Sequence, residues 1–243
     1  MLGGAGEVLE FESFCYLQNQ KTGSTFVEKF LRTFSNQTLK RYDKHAPVNI
    51  FDYNETKFYF INVRNPLELY WSLFNYGLDG RGEVFVRLSR LGHGHLYQSD
   101  TSGFDAWLSF IQKPEHSRLL HPKYTEAVAR QFGFMTWRFL RLACCGFEDL
   151  APVLNEADRL KTAERLIVNK VIKTETLKDD LYELVSNELS PYIKKLKPAL
   201  LWLNEAQHIN ASNVRSKDVI RSLATEMIKS REAYLYNKFY LDV

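Results

Sequence analysis

The sequence predicts an α/β protein with a central parallel sheet flanked by helices. Two segments, Phe14–Phe34 and Lys57–Phe74, each combine a short apolar strand, a polar turn and a helix. A third strand is expected within Leu166–Lys173, between the charged helical stretch Asn155–Arg165 and a helix at Leu177–Leu184. Strands that alternate with helices are typical of a parallel sheet. The 243 residues suit one domain, 1–243.

The first strand is the buried run Phe14–Leu17, which the polar residues 18–23 separate from a helix. That helix is predicted by apolar residues at helical spacing, namely Phe26, Val27, Phe30, Leu31 and Phe34. The second strand is Lys57–Val63, rich in aromatic and β-branched residues. Pro66 follows it and suits the first position of a helix, where its missing N–H costs nothing.

The rest of the chain is predicted to be mainly helical. Residues 77–103, rich in Gly, Arg and His, are the exception and are expected to form a long loop that acts as a lid or binds an acceptor. The apolar pattern of Phe104–Cys145 is helical, and Lys217–Tyr240 predicts a further helix with an aromatic end.

Composition excludes several classes of protein. The apolar fraction of 45% and charged fraction of 25% rule out disordered, collagen-like and coiled-coil chains. A net charge of +3 is too small for a nucleic-acid footprint, so an anion site would have to be built locally. The three cysteines form no CxxC pair, and neither a secretory signal nor a membrane-spanning run is evident. We therefore expect a cytoplasmic protein, although a Golgi-type protein that has lost its anchor would have the same features.

The turn at Lys21–Thr25 has the features of a phosphate loop. A loop between a buried strand and a helix gathers unpaired backbone N–H groups at the positive end of the helix dipole. The segment adds one ammonium, three hydroxyls and a glycine. The alternative is simple helix capping, because Thr25 and Glu28 have the spacing of a capping box. It is not a Walker A loop, since Gln20 stands where a glycine should precede the lysine.

The second strand-to-helix junction carries a second candidate anion site. Arg64 lies at the end of the strand, and Ser72 lies two turns into the following helix, outside its apolar stripe. Either residue alone is better explained as an ordinary surface arginine or helical serine. Together with the first junction, however, they predict two anion sites at one edge of the sheet.

These junctions resemble the two nucleotide motifs of sulfotransferases that use 3′-phosphoadenosine 5′-phosphosulfate (PAPS), most closely those of the carbohydrate branch. The 5′-phosphosulfate loop of that family is similar to Gln20–Thr25, and its 3′-phosphate motif is similar to Val63–Glu68 with Ser72–Phe74. Later segments of the family resemble Val171–Leu177 and Asn210–Ser216 in the same order. The resemblance thus spans most of the chain and implies a three-layer, P-loop-like domain with helical insertions.

The resemblance also implies which residues bind the donor. Residues of the first motif would hold the 5′-phosphosulfate, Arg64 and Ser72 would hold the 3′-phosphate, and Arg215 and Ser216 would lie in a loop closing over the nucleotide. The implied cofactor-binding residues are Lys21, Thr22, Gly23, Ser24, Thr25, Arg64, Ser72, Arg215 and Ser216. PAPS would be the donor and adenosine 3′,5′-bisphosphate the product.

Sulfuryl transfer to an alcohol needs a base for the hydroxyl proton and stabilisation of the leaving phosphate. Lys21 is the candidate for stabilising that phosphate, and no metal is required. His45 is the candidate base, because it lies between the two motifs, because a His titrates near neutral pH, and because related enzymes often have a similar Lys-His-Ala segment here.

The acceptor is expected to carry a hydroxyl and to be a glycan or a small metabolite. Arg81, Arg87 and Arg90 could meet an anionic acceptor or form a solvated face, and two histidines, His93 and His95, make only a weak metal site. Aromatic residues that could stack on sugars or build core are Trp71, Tyr76 and Trp107.

Three other functions compete with PAPS-dependent transfer to a glycan. A nucleotide kinase would need a glycine before Lys21 and an acidic magnesium ligand after a strand, and neither is found. A sulfotransferase-like binding protein without turnover is disfavoured by Lys21 and His45. A small-molecule sulfotransferase stays open.

Overall fold

The structure is a computed structural model that describes residues 8–42, 47–48, 53–99, 101–206 and 222–241. Its strands are β1 (Leu9–Glu10), β2 (Phe14–Leu17), β3 (Arg41–Tyr42), β4 (Phe58–Val63) and β5 (Lys170–Lys173). Its helices are α1 (Ser24–Phe34), α2 (Pro66–Leu78), α3 (Glu83–Arg90), α4 (Thr101–Ile111), α5 (Ser117–Leu120), α6 (Glu126–Gln131), α7 (Phe134–Ala143), α8 (Phe147–Leu150), α9 (Glu156–Ala163), α10 (Leu177–Ser186), α11 (Leu196–Glu205), α12 (Ser222–Arg231) and α13 (Ala233–Phe239).

The α/β prediction is confirmed, but the sheet is mixed. Its order is β3-β1-β2-β4-β5. The strands β2, β4 and β5 are parallel, as expected, whereas β1 is antiparallel to both β2 and β3. The expectation of a purely parallel sheet is therefore wrong at β1 and β3, which are two residues long and too short for a periodic pattern to be read from sequence.

The chain forms two compact units. The first contains residues 1–64, 141–146 and 163–211 and includes the whole sheet. The second contains residues 65–140, 147–162 and 212–243, whose described elements are helical.

The core of the first unit lies on one face of the sheet. Side chains alternate along a strand, so Phe14, Tyr16, Phe60 and Ile172 point to the same face. Tyr16 lies directly opposite Phe60, and their rings stack with centroids 4.9 Å apart. Helices cover this face with buried residues, namely Phe26, Val27, Phe30 and Leu31 of α1, Leu177, Leu181, Leu184 and Val185 of α10, and Ala199 and Leu203 of α11.

A buried carboxylate organises the second unit. Glu232 lies at the break between α12 and α13 and is 0% exposed. It accepts hydrogen bonds from the backbone N–H of Met135 (3.1 Å) and from the N–H and hydroxyl of Thr136 (both 2.7 Å), and from the hydroxyl of Tyr70 (2.5 Å). Glu232 thus caps the N-terminus of α7 from a distant part of the chain.

Several boundaries differ from the sequence prediction. Residues 77–103 are not a long irregular loop, because α3 occupies 83–90 and a 3₁₀ turn occupies Gly94–Leu96. The strand expected within Leu166–Lys173 is limited to β5, with Leu166 in an isolated bridge to Cys144. The described part of the C-terminal helix is interrupted at Glu232. Pro66 is the first residue of α2, as predicted, and the Asn65 side chain caps that helix at the Leu67 N–H.

Candidate functional site

The candidate site lies where the three parallel strands of the first unit end. Leu17 of β2 pairs with Ile61 of β4, and Val63 of β4 pairs with Lys173 of β5. The carboxyl ends of parallel strands meet at one edge of a sheet, which is where α/β folds bind ligands. The loop 18–23 follows β2, Arg64 follows β4, and Thr174 follows β5.

The loop after β2 has an unusual backbone. Lys21 has a φ of 64°, in the left-handed region that side chains other than those of Gly, Asn and Asp rarely adopt. Gly23 is also left-handed, with φ 80° and ψ 13°. The hydroxyl of Thr22 donates to the Asn19 carbonyl at 2.7 Å, which closes the turn from within. Turns of this kind can direct successive N–H groups into a concavity that suits an anion.

The capping interpretation of this segment is wrong. Helix α1 begins at Ser24, so the N-cap is Gly23, which has no side chain to cap with. Thr25 is exposed in the first turn, and Glu28 instead accepts hydrogen bonds from Gln18 Nε2 (2.9 Å) and Arg32 Nε (2.8 Å). Side-chain capping, which would have competed with an anion for the first N–H groups of α1, is therefore absent from this N-cap.

Carbonyl groups of the loop are held by side chains from β4 and from the residues after β4 and β5. The Thr22 carbonyl accepts from Asn62 Nδ2 (3.0 Å) and lies 3.0 Å from the Thr174 hydroxyl, whose one proton it shares with the Val63 carbonyl (2.9 Å). The Lys21 carbonyl accepts from Arg64 Nη1 at 3.3 Å. The two carbonyl oxygens, which would repel an anion, are thus occupied by donors.

The structure brings the first-motif residues and Arg64 together. Arg64 contacts Lys21 directly, and both side chains are partly exposed. Ser24 is buried in the first turn of α1, while Thr22 is 0% exposed and its hydroxyl is used inside the loop. Thr22 can therefore serve a ligand through its backbone N–H but not through its hydroxyl.

Four predicted site residues remain. Ser72 is half-buried in α2, which belongs to the second unit. His45, Arg215 and Ser216 lie outside the described residues, so their roles stay predictions.

Electrostatics at the loop depend on Glu28. Although burial opposes its ionisation, hydrogen bonds from Tyr42, Gln18 and Arg32 lower the pKa of Glu28. The carboxylate is thereby kept ionised and paired with Arg32, one turn further along α1. Lys21 belongs to the loop and Arg64 donates to its carbonyl, so two cationic residues lie in or beside the loop, and their charge favours an anion.

The residues considered for the acceptor lie in the second unit, and several of them make structural contacts there. Trp107 is 0% exposed and packs against Tyr70 and Phe74. It therefore belongs to the core, and the alternative that its ring stacks on a sugar is wrong. Arg87 pairs with Glu83 along α3. His93 lies against Phe110, and His95 Nδ1 lies 3.1 Å from the Gly92 carbonyl.

Sequence reasoning missed Asn62 and Thr174. Asn62 carries a detectable signal, because it is a polar amide within the otherwise apolar strand Phe58–Val63. Thr174 lies within Val171–Leu177, but that segment gave it no role, since a threonine after a strand is common and its contact with Thr22 exists only in the folded chain.

Within the described ranges, no three His, Cys, Asp or Glu side chains are grouped so as to hold a metal ion. None of the helices described combines the length and apolar character that crossing a membrane requires. No protein-family model, curated protein or solved structure matches the chain.

Proposed function

We propose that this protein is a sulfotransferase that moves a sulfuryl group from PAPS to a hydroxyl group of an acceptor, with a carbohydrate or glycan-like acceptor favoured. The observation that carries the proposal is the contact of Arg64 with Lys21 at the end of the parallel strands. It joins the two motifs that resemble the nucleotide-binding motifs of PAPS-dependent sulfotransferases. The proposed fold is the three-layer, P-loop-like domain of that family.

The loop after β2 fits a phosphosulfate group in three respects. Its helix has no side-chain cap, so N–H groups in the first turn of α1 can face a ligand. Its Thr22 and Lys21 carbonyls are engaged by Asn62, Thr174 and Arg64. Its cations, Lys21 and Arg64, match an anionic ligand.

PAPS supplies a sulfuryl group joined to a phosphate leaving group. The ammonium of Lys21 would offset negative charge as it develops on that phosphate, an effect worth roughly 3–4 kcal/mol for one well-placed donor. His45 would accept the acceptor's hydroxyl proton as the new O–S bond forms. Arg64, with Ser72 as its expected partner, would bind the 3′-phosphate and so orient the donor.

Calorimetry tests the donor class. The wild-type chain should bind adenosine 3′,5′-bisphosphate much more tightly than ATP with magnesium. Lys21→Ala and Arg64→Ala should each weaken binding of the bisphosphate by at least tenfold, as expected for loss of a charge-assisted contact. Lys29→Ala is the matched control, because Lys29 is an exposed lysine of α1, the helix that follows the loop. A preference for ATP would overturn the proposal.

A screen with labelled PAPS tests the acceptor. Glycans, phenols, sterols and small alcohols would be offered in parallel, and sulfated product would be measured. Transfer to glycans supports the carbohydrate assignment, whereas transfer only to phenols or alcohols would replace it with a small-molecule activity. Tight binding of the bisphosphate without any transfer would indicate a binding protein.

A further inference from the structure

The Thr22 carbonyl accepts from the side chain of Asn62 and shares the single hydroxyl proton of Thr174 with the Val63 carbonyl. Asn62 Nδ2 donates to the Thr22 carbonyl at 3.0 Å, and the hydroxyl of Thr174 lies 3.0 Å from that carbonyl and 2.9 Å from the Val63 carbonyl. The donors come from β4 and from the residue after β5, so both hold the loop against the ends of the sheet.

Anchoring this carbonyl fixes the direction of an N–H group. A trans peptide is planar, and its C=O and N–H bonds point in opposite directions. The Thr22 carbonyl and the Gly23 N–H belong to one peptide unit. Because the carbonyl is turned toward Asn62 and Thr174, the Gly23 N–H is turned away from them, at the start of α1.

We propose that Asn62 and Thr174 are positioning residues that aim the Gly23 N–H at the phosphate end of the donor. The inference rests on the proposed function for the identity of the ligand. Asn62 lies outside the motifs that resemble the family, and Thr174 lies in the later segment Val171–Leu177, to which no nucleotide contact was assigned. Neither residue is required to touch the ligand.

The burial of Asn62 supports the assignment independently. Its side chain is 0% exposed, and its Oδ1 has no hydrogen-bond partner among the described residues. A buried acceptor without a partner is unfavourable, and valine would suit this strand position better than asparagine. The feature that only the asparagine provides is the Nδ2 donor aimed at the loop.

If Asn62 is a positioning residue, its substitution should affect the stability of the fold and the binding of the nucleotide differently. Asn62→Val removes both the donor and the unpartnered acceptor, so the midpoint of urea unfolding should be unchanged or higher. Affinity for adenosine 3′,5′-bisphosphate should nevertheless fall by about tenfold, as expected when one charge-assisted hydrogen bond is misaligned. A purely structural role predicts the reverse, with lower stability and unchanged affinity.

Thr174 offers a conservative rescue. Thr174→Val keeps the shape and loses the hydroxyl, so affinity should fall as in Asn62→Val, whereas Thr174→Ser keeps the hydroxyl and should bind like the wild type. Thr176→Val is the matched control, because Thr176 lies two residues away and makes no side-chain capping bond. Wild-type affinity in both Asn62→Val and Thr174→Val would overturn the proposal.

A second measurement separates this inference from the function on which it rests. Inorganic phosphate would be titrated into the full chain labelled with ¹⁵N-glycine, and the Gly23 amide signal would be followed by NMR. We expect a shift in the wild type that is much reduced in Asn62→Val and Thr174→Val. If the wild type shows this shift but does not bind the bisphosphate, the sulfotransferase proposal fails and the positioning role stands. If phosphate leaves the Gly23 signal unmoved, the positioning role fails.

Discussion

Gly23 is the loop residue whose position most strictly requires glycine. Its backbone is left-handed, and a Cβ placed on it would lie 2.7 Å from Cδ2 of Leu177, the first residue of α10. A left-handed non-glycine residue alone costs about 1–2 kcal/mol. We expect Gly23→Ala to lower stability by more than that amount and to weaken nucleotide binding.

The control is Gly80→Ala, since Gly80 has a φ of 74° but no atom within 4 Å of the added Cβ. Chemical denaturation of both variants separates the backbone cost from the collision with Leu177. Equal losses of stability in the two variants would show that the Leu177 side chain can move away from the added Cβ without lowering stability.

His45 is the residue whose role depends most on resemblance. We expect His45→Ala to leave binding of adenosine 3′,5′-bisphosphate within about twofold and to lower kcat by two or more orders of magnitude, as for loss of a general base. Single-turnover measurement of sulfate transfer checks this. A near-normal rate would mean that another group accepts the proton.

At the scale of elements, the capping of α7 by Glu232 makes Gly133 sensitive to substitution. A Cβ on Gly133 would lie 2.2 Å from Glu232 Oε1 and 2.7 Å from the Arg231 carbonyl. The carboxylate would have to move and leave the N–H groups of Met135 and Thr136 without an acceptor. We expect Gly133→Ala to cost on the order of 2 kcal/mol or more.

Gly94→Ala is the comparison in the same unit, because its Cβ would approach Ser89 no closer than 3.1 Å. The two midpoints of thermal unfolding should differ clearly, with Gly133→Ala the lower. A similar midpoint for both would contradict the capping role of Glu232.

The elements that sequence predicts are those with enough apolar residues to show a period. Strand β4 and helix α1 have long apolar patterns and were located within about two residues. Helix α3 was missed because only Val84 and Leu88 of its eight residues are buried. The Glu232 cap was missed because its partners lie 96 and 97 residues away, where local patterns carry no information.

The candidate site was predicted in part for the same reason. Lys21 and Arg64 lie in contiguous motifs, so sequence could place them at strand ends. The bonds from Asn62 and Thr174 to Thr22 join segments 40 and 152 residues apart and depend on strand register. Their roles therefore emerge only from the folded chain.

At the scale of the whole molecule, two carboxylates give opposite contributions to pH-dependent stability. The pKa of Glu28 is lowered from 4.5 in the folded protein. The stability that Glu28 contributes is therefore fully present above pH 4.5 and is lost as the pH falls through the folded pKa. For Glu232, burial outweighs the hydrogen bonds from Thr136, Tyr70 and Met135 and raises the pKa from 4.5. The stability that Glu232 contributes is therefore fully present below pH 4.5 and is lost as the pH rises through the folded pKa.

Glu232→Gln should therefore change the pH dependence of unfolding. The wild type loses the stability contributed by Glu232 as the pH rises above 4.5, whereas the glutamine at this position does not titrate. The variant is expected to be less stable than the wild type at pH 4.5, and this deficit in unfolding free energy should shrink as the pH rises. Urea denaturation between pH 4.5 and pH 7.5 measures this difference. Glu226→Gln, at an exposed position of α12, is the matched control for the replacement itself. A deficit that grows with pH would mean that the carboxylate is bound as the anion.

The bonds that hold the Thr22 carbonyl also set an order of events during protein synthesis. Residue 22 leaves the ribosome before its donor Thr174, which is made 152 residues later. At typical rates of roughly 5–20 residues per second, that interval lasts on the order of ten seconds or more. A nascent chain that has already made the segments of β2 and α1 still lacks the donor that finishes the loop. The complete phosphate cradle is therefore a late product of folding, and a chain truncated before Thr174 should have the first motif without its full affinity for the nucleotide.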